Sequence, residues 1–179
     1  GGFVATPYAA AYSASKFGLR GFSEAIRGEL SKKPHIHVCD VYPTFVDTPG
    51  IDHAGNYTGA RLTLPPGALA PETAAKAVVR LAKRPRNTTV VGAPAAALKL
   101  GQFAAPNLSA AIMSGFMDTW SSKAPAGEDS AGALFEPPAT ASGPDGGRRR
   151  PDQRRKAGAA VGVAAVAAGV AAFLWQRRR

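Results

Sequence analysis

The sequence predicts an α/β fold, the closing part of a doubly wound parallel sheet, followed by a polar linker and an apolar C-terminal helix. Three observations predict it. Residues 12–30 read YSASKFGLRGFSEAIRGEL, in which Tyr12, Phe17, Leu19, Phe22, Ala25, Ile26 and Leu30 follow the three- and four-residue spacing of a helix with one apolar side. Two short β-branched runs, Ile36 to Tyr42 and Thr88 to Val91, bracket a helical stretch at Pro71 to Lys83; strand, helix, strand is the order that builds a parallel sheet. A long irregular excursion, Asp47 to Leu69, leaves the first strand at its carboxyl end, where ligands bind in sheets of this kind.

Each element has its own local signals. Gly1 to Ala9 is turn-prone and contains Pro7. The long helix then closes at Ser31 to Pro34, where Lys32 and Lys33 face the negative end of its dipole. Ile36 to Tyr42 is apolar on alternate and then consecutive positions, as a largely buried strand requires, and Pro43 ends it. Asp47 to Leu69 is rich in Gly, Pro and polar residues, and at that length it reads as a functional lid or a disordered segment rather than a simple connector. Pro71 and Glu72 open the next helix, and Lys83, Arg84 and Arg86 follow its end. From Ala95 to about Trp120 two weaker helical stretches are separated by Pro106 and Asn107.

The chain has 179 residues, enough for one domain with a core. Its formal charge of +10 is concentrated in Arg148 to Lys156 and Arg177 to Arg179, around an uncharged segment, which argues against a nucleic-acid partner. The one cysteine, Cys39, excludes a disulfide framework and a cysteine-rich zinc site. His35 and His37 have no carboxylate or cysteine at ligand spacing, so no metal is expected; His53 and Tyr57 fall in the long loop, within reach of a substrate.

The domain reading is a partial α/β domain at 1–120, a flexible linker at 121–156, an apolar helix at 157–175 and a basic tail at 176–179. The linker is Pro, Gly, Ser, Ala and charge without apolar period. Ala157 to Trp175 carries no charge over nineteen residues, close to the roughly twenty that span a bilayer, with basic residues on both sides. Its Ala, Gly and Val composition offers little transfer energy, so a soluble packing helix competes with a membrane span.

Tyr12 and Lys16 stand four apart on the first helix, one turn above the other. A positive charge beside a phenol favours the phenolate, which suits a proton carrier. In full, PYAAAYSASKFGLRGFSEAIRGEL resembles the active-site helix of the short-chain dehydrogenase/reductase family, with its Tyr-x-x-x-Lys. PTFVDT at Pro43 to Thr48 is similar to that family's Pro-Gly-x-Val-x-Thr segment, with Thr44 in place of the glycine.

The resemblance, over Gly1 to about Trp120, implies a Rossmann-like fold and a hydride transfer between NAD or NADP and an alcohol or carbonyl substrate. Tyr12 would carry the proton and Lys16 would bond the nicotinamide ribose. Pro43, Val46 and Thr48 would line the nicotinamide, with the Val46 backbone and the Thr48 hydroxyl on its carboxamide. Thr44 adds a Cβ where the backbone would pass close to the cofactor. The family's serine and glycine-rich nucleotide turn have no counterpart here, so the chain is expected to be the C-terminal portion of such an enzyme and, by itself, an inactive fragment. The competing reading is a noncatalytic, membrane-associated interaction fragment. With the enzyme body in the cytoplasm, the 157–175 helix would tether it to a membrane. Substrate, membrane orientation and self-association into a homo-oligomer are left open by the sequence.

Overall fold

A computed structural model describes residues 2–65, 67–137 and 143–149. The elements run α1 (Ala10–Glu29), β1 (Asp40–Pro43), a single 3-10 turn (Pro49–Ile51), α2 (Pro71–Lys83), β2 (Thr88–Val91), α3 (Ala93–Ala104) and α4 (Pro106–Ser122). β1 and β2 pair in parallel, Asp40 opposite Thr88 through Pro43 opposite Val91. A parallel pair joined through a helix is the βαβ arrangement, and it fits part of a Rossmann-like sheet.

The sequence places the first strand at Ile36 to Tyr42, whereas the structure starts it at Asp40. Strand conformation is stabilised by a partner, and β2 offers only four residues to pair with. Pro43, whose missing N–H bars it from most strand interiors, is the last paired residue. Pro106 opens α4, the position where a missing N–H costs nothing, and α3 ends just before it at Ala104.

α1 forms where its periodicity places it, but its apolar stripe is not covered within the described residues. Ser13 is its buried residue, while Tyr12, Phe17, Leu19 and Phe22 are exposed. The helix is held at its two ends by polar ties instead. At the start, the Ser13 hydroxyl accepts from the Thr6 N–H at 2.9 Å, and the Tyr8 hydroxyl donates to the Asp118 carboxylate on α4. Tyr8 sits at φ 64°, a left-handed conformation uncommon for a residue with a side chain. Toward the end, the Arg27 guanidinium donates to Asp40 Oδ2 at 3.1 Å and to the carbonyl of Val38 at 3.3 Å, so one cation joins α1 to β1.

Val4 and Met113 are the buried hydrophobic residues among those described. α3 and α4 pack on one another, and a Cβ at Gly101 would stand 3.1 Å from Ser109 Oγ. Beyond α4 the chain returns to the long loop through isolated antiparallel bridges, Asn56 with Ser130 and Ala60 with Ala126. Among the described residues no helix is long and apolar enough to cross a membrane; the apolar helix read at 157–175 lies outside them.

Gly92 joins β2 to α3 at φ 100°. Thr44, which follows β1, lies directly against it: a Cβ on Gly92 would meet Thr44 Cγ2 at 3.0 Å and Oγ1 at 3.1 Å. Gly92→Ala therefore combines a disfavoured backbone with a steric clash, and it is expected to lower unfolding stability by about 1–3 kcal/mol. A urea denaturation curve measures this, and an unchanged midpoint would refute it.

Candidate active site

The candidate residues lie on the first two turns of α1 and along the chain that leaves the carboxyl end of β1. Helical geometry stacks Tyr12 and Lys16, and the Lys16 ammonium lies over the Tyr12 ring, 5.4 Å from its centroid. Tyr12 is 54% exposed. Ser15, between them in sequence, is engaged locally, its hydroxyl donating to the Tyr12 carbonyl at 2.7 Å.

Gly2 sets the distance between this turn and the sheet. A Cβ there would be 3.6 Å from the Lys16 carbonyl oxygen, 3.3 Å from Tyr42 Cδ1 and 2.7 Å from Tyr42 Cε1. Only a residue without a side chain lets the Lys16 turn approach Tyr42, the last residue of β1 before Pro43. Phe3 completes the junction, its ring centroid 4.1 Å from that of Tyr42, with the Arg20 guanidinium 4.9 Å and the Lys99 ammonium 5.0 Å from its own. Two cations beside an aromatic ring are a favourable electrostatic arrangement.

Past Pro43 the backbone makes one more parallel bridge, Val46 with Leu69. The Leu69 N–H donates to the Phe45 carbonyl at 2.8 Å, and the Asp47 N–H donates to the Leu69 carbonyl at 3.0 Å. In a parallel bridge the residue between those two groups turns its own N–H and C=O the other way. Val46 thus presents a backbone donor and acceptor on the side away from Leu69. Thr48 follows in extended conformation, φ −129° and ψ 158°, and leads into the 3-10 turn. The Thr44 side chain is directed at Gly92, so the extra Cβ relative to the family's glycine is taken up against β2's exit.

The sequence offered no sign that Asp47 is wholly buried, at 0% exposure. Its carboxylate Oδ2 accepts from the backbone N–H groups of Arg148 and Arg149, at 2.8 and 2.9 Å. These donors come from a stretch read as linker; the signal that could have found them is Asp-Gly-Gly at 145–147, a sharp-turn sequence. Among the described residues no group of three His, Cys, Asp or Glu could hold a metal ion.

Residues 1–56 match the family model described as short chain dehydrogenase. The uncharacterized oxidoreductase YxnA of Bacillus subtilis (strain 168) is 30% identical over 112 residues, covering 59% of this chain and 30% of that protein. The chain thus spans less than a third of that relative's length. No solved structure matches. The fold is α/β with a parallel strand pair, and over residues 1–56 the chain is similar to the short-chain dehydrogenases.

Tyr42 carries the one marked electrostatic perturbation at the junction. Burial, then the charge of Asp40, then the 3.3 Å hydrogen bond its hydroxyl donates to Asp40 Oδ2 push the phenol above its ordinary value of 10.0, against the opposing charges of Arg20 and Arg27. Below 10 the phenol is neutral folded or unfolded, so its contribution to stability is fully present there. As pH rises above 10 the unfolded chain loses this proton first, and that contribution is lost through the raised folded value. Ultraviolet titration of the tyrosinates is expected to show a late-ionising phenol that disappears in Tyr42→Phe; an unchanged titration curve would count against it.

Proposed function

We propose that this chain is part of a nicotinamide-dependent oxidoreductase of the short-chain dehydrogenase type, acting on an alcohol or carbonyl substrate. The observation that carries the reading is the Tyr12–Lys16 turn, inside the stretch matched to the family, seated through Gly2 beside the carboxyl end of β1.

The Val46 N–H and C=O, turned away from Leu69, are the complement of a primary carboxamide, which has one acceptor and one donor edge. The segment therefore fits the nicotinamide of NAD or NADP, with Pro43 flanking it and the Thr48 hydroxyl as a further polar contact. Bound there, the dinucleotide would supply the acceptor or donor of a hydride. The chain's own residues do the rest. Tyr12 gives a proton to the substrate oxygen in reduction and takes it in oxidation. Lys16 places a positive charge beside that phenol as the proton leaves, and its ammonium would bond the nicotinamide ribose. The half-exposed position of Tyr12 lets its oxygen meet a substrate entering from the loop side.

Tyr12→Phe removes the proton carrier and keeps the ring. In the complete enzyme it is expected to lower kcat at least about 100-fold while cofactor affinity changes by less than about twofold. Equal turnover by mutant and parent would remove Tyr12 from the mechanism. Stopped-flow measurement of cofactor binding separates the two quantities.

The same proposal includes a tether, resting on the uncharged sequence of residues 157–175 and its basic flanks. The full protein is expected in the membrane fraction after a carbonate wash and in the supernatant once residues 157–179 are deleted. Recovery of the full protein in the soluble fraction before any wash would make the segment a packing or self-association helix.

A further inference from the structure

Residues 145–149 make an unusual grip on Asp47. Asp145 Oδ1 accepts from the Gly147 N–H at 2.8 Å, which turns the chain tightly, and Gly147 takes φ 70°. The next two N–H groups, of Arg148 and Arg149, then point together at Asp47 Oδ2. Successive amides converging after a left-handed residue form an anion-binding concavity, here filled by a carboxylate of the same chain. The grip has further points of attachment. The Gly146 N–H donates to the Asp47 carbonyl at 3.1 Å, and Arg148 Nη1 donates to the Thr48 carbonyl at 3.3 Å. Arg148 also pairs with Asp52, and Arg149 Nε stands 3.4 Å from Asp47 Oδ2, at ion-pair rather than hydrogen-bond geometry.

Gly146 must be glycine for this approach. A Cβ there would overlap Asp47 Oδ1 and Arg148 Nη1 and would lie 3.0 Å from the carbonyl carbon of Thr48. The gripped residue lies between Val46 and Thr48, and its own N–H is the one that fastens the strand extension to Leu69. One side of the Asp47 peptide therefore fixes the Val46 bridge and the other is held by 146–149.

We infer that Asp47 is a positioning residue, clasped by residues 145–149 so that the backbone of Val46 to Thr48 keeps its ligand-facing conformation. The effect on cofactor rests on reading Val46 to Thr48 as the nicotinamide-holding segment; the clasp itself does not. It holds the root of the 47–69 loop from a segment a hundred residues on, while the loop's middle is tied separately by the Asn56–Ser130 and Ala60–Ala126 bridges.

The test uses Asp47→Ala, Asp47→Asn and Gly146→Val in the full protein, with two readouts. The first is amide hydrogen exchange resolved at Asp47 and Leu69, whose N–H groups make the Val46 bridge. Asp47→Ala and Gly146→Val are each expected to raise exchange there by about tenfold while α1 and β2 keep their protection, with Asp47→Asn in between because its amide oxygen still accepts. Unchanged exchange at those two amides, or the same increase across α1 and β2, would overturn the clasp. The second readout is steady-state kinetics, where KM for NADPH or NADH is expected to rise about tenfold in Asp47→Ala with kcat much less affected. An unchanged KM alongside raised exchange would overturn the positioning role. If the unsubstituted protein turns over no alcohol or carbonyl substrate, the oxidoreductase reading fails, and dinucleotide affinity by calorimetry takes the place of KM: unweakened binding in Asp47→Ala, or no binding by the parent, overturns the positioning role.

Discussion

The parallel pairing of Asp40–Pro43 with Thr88–Val91 is the constraint on which everything else hangs. Parallel strands cannot be joined by a tight turn, so this pairing requires the long path through the 47–69 loop and α2, and that path creates a loop at the carboxyl end of β1. The pairing also brings Asn87 and Asp40 side by side, where the Arg27 guanidinium reaches the Asn87 carbonyl at 3.5 Å and the Asp40 carboxylate at 3.1 Å. One buried-edge cation thus reads the register of the two strands and fastens α1 to it. At the other end of the pair, Thr44 and Gly92 are locked together by shape.

The described residues are joined more by polar and aromatic ties than by a continuous apolar core. α1 shows this most clearly: a helix with an evident apolar stripe contributes Ser13 as its buried residue. Hydrophobic burial is non-directional, and a stripe left exposed contributes nothing until something covers it. The ties that are present are directional. Phe3 against Tyr42, Arg27 against Asp40 and Tyr8 against Asp118 each fix an orientation as well as a distance. Arg27 in this way joins α1 to β1 with little apolar contact beneath the helix.

At the site, geometry follows from two omissions of a side chain and one buried charge. Gly2 allows the Lys16 turn to approach Tyr42, and Gly146 allows residues 146–149 to approach Asp47. The Asp47 carboxylate, taken out of water, has its cost offset by two backbone donors and two flanking guanidinium groups. Between these approaches lies the Val46 backbone, whose outward groups remain available for a ligand because the Leu69 bridge engages its neighbours.

By itself the sequence determined the elements whose signals are local. The α1 periodicity, Pro71 with Glu72 at the start of α2, and the β-branched run at Thr88 each act through neighbours a few residues away, and those elements form within two residues of where they read. It also determined the Tyr12–Lys16 pair, because a four-residue spacing on a helix is a statement about one face. Tertiary structure decided the rest. Ile36 to Cys39 stayed out of β1 because strand length is set by a partner rather than by composition. The direction of the Thr44 side chain was fixed by Gly92, nearly fifty residues on, and the burial of Asp47 by amides a hundred residues on. No local pattern encodes such contacts, since a carboxylate in a loop reads as solvated until the chain that buries it has folded back over it.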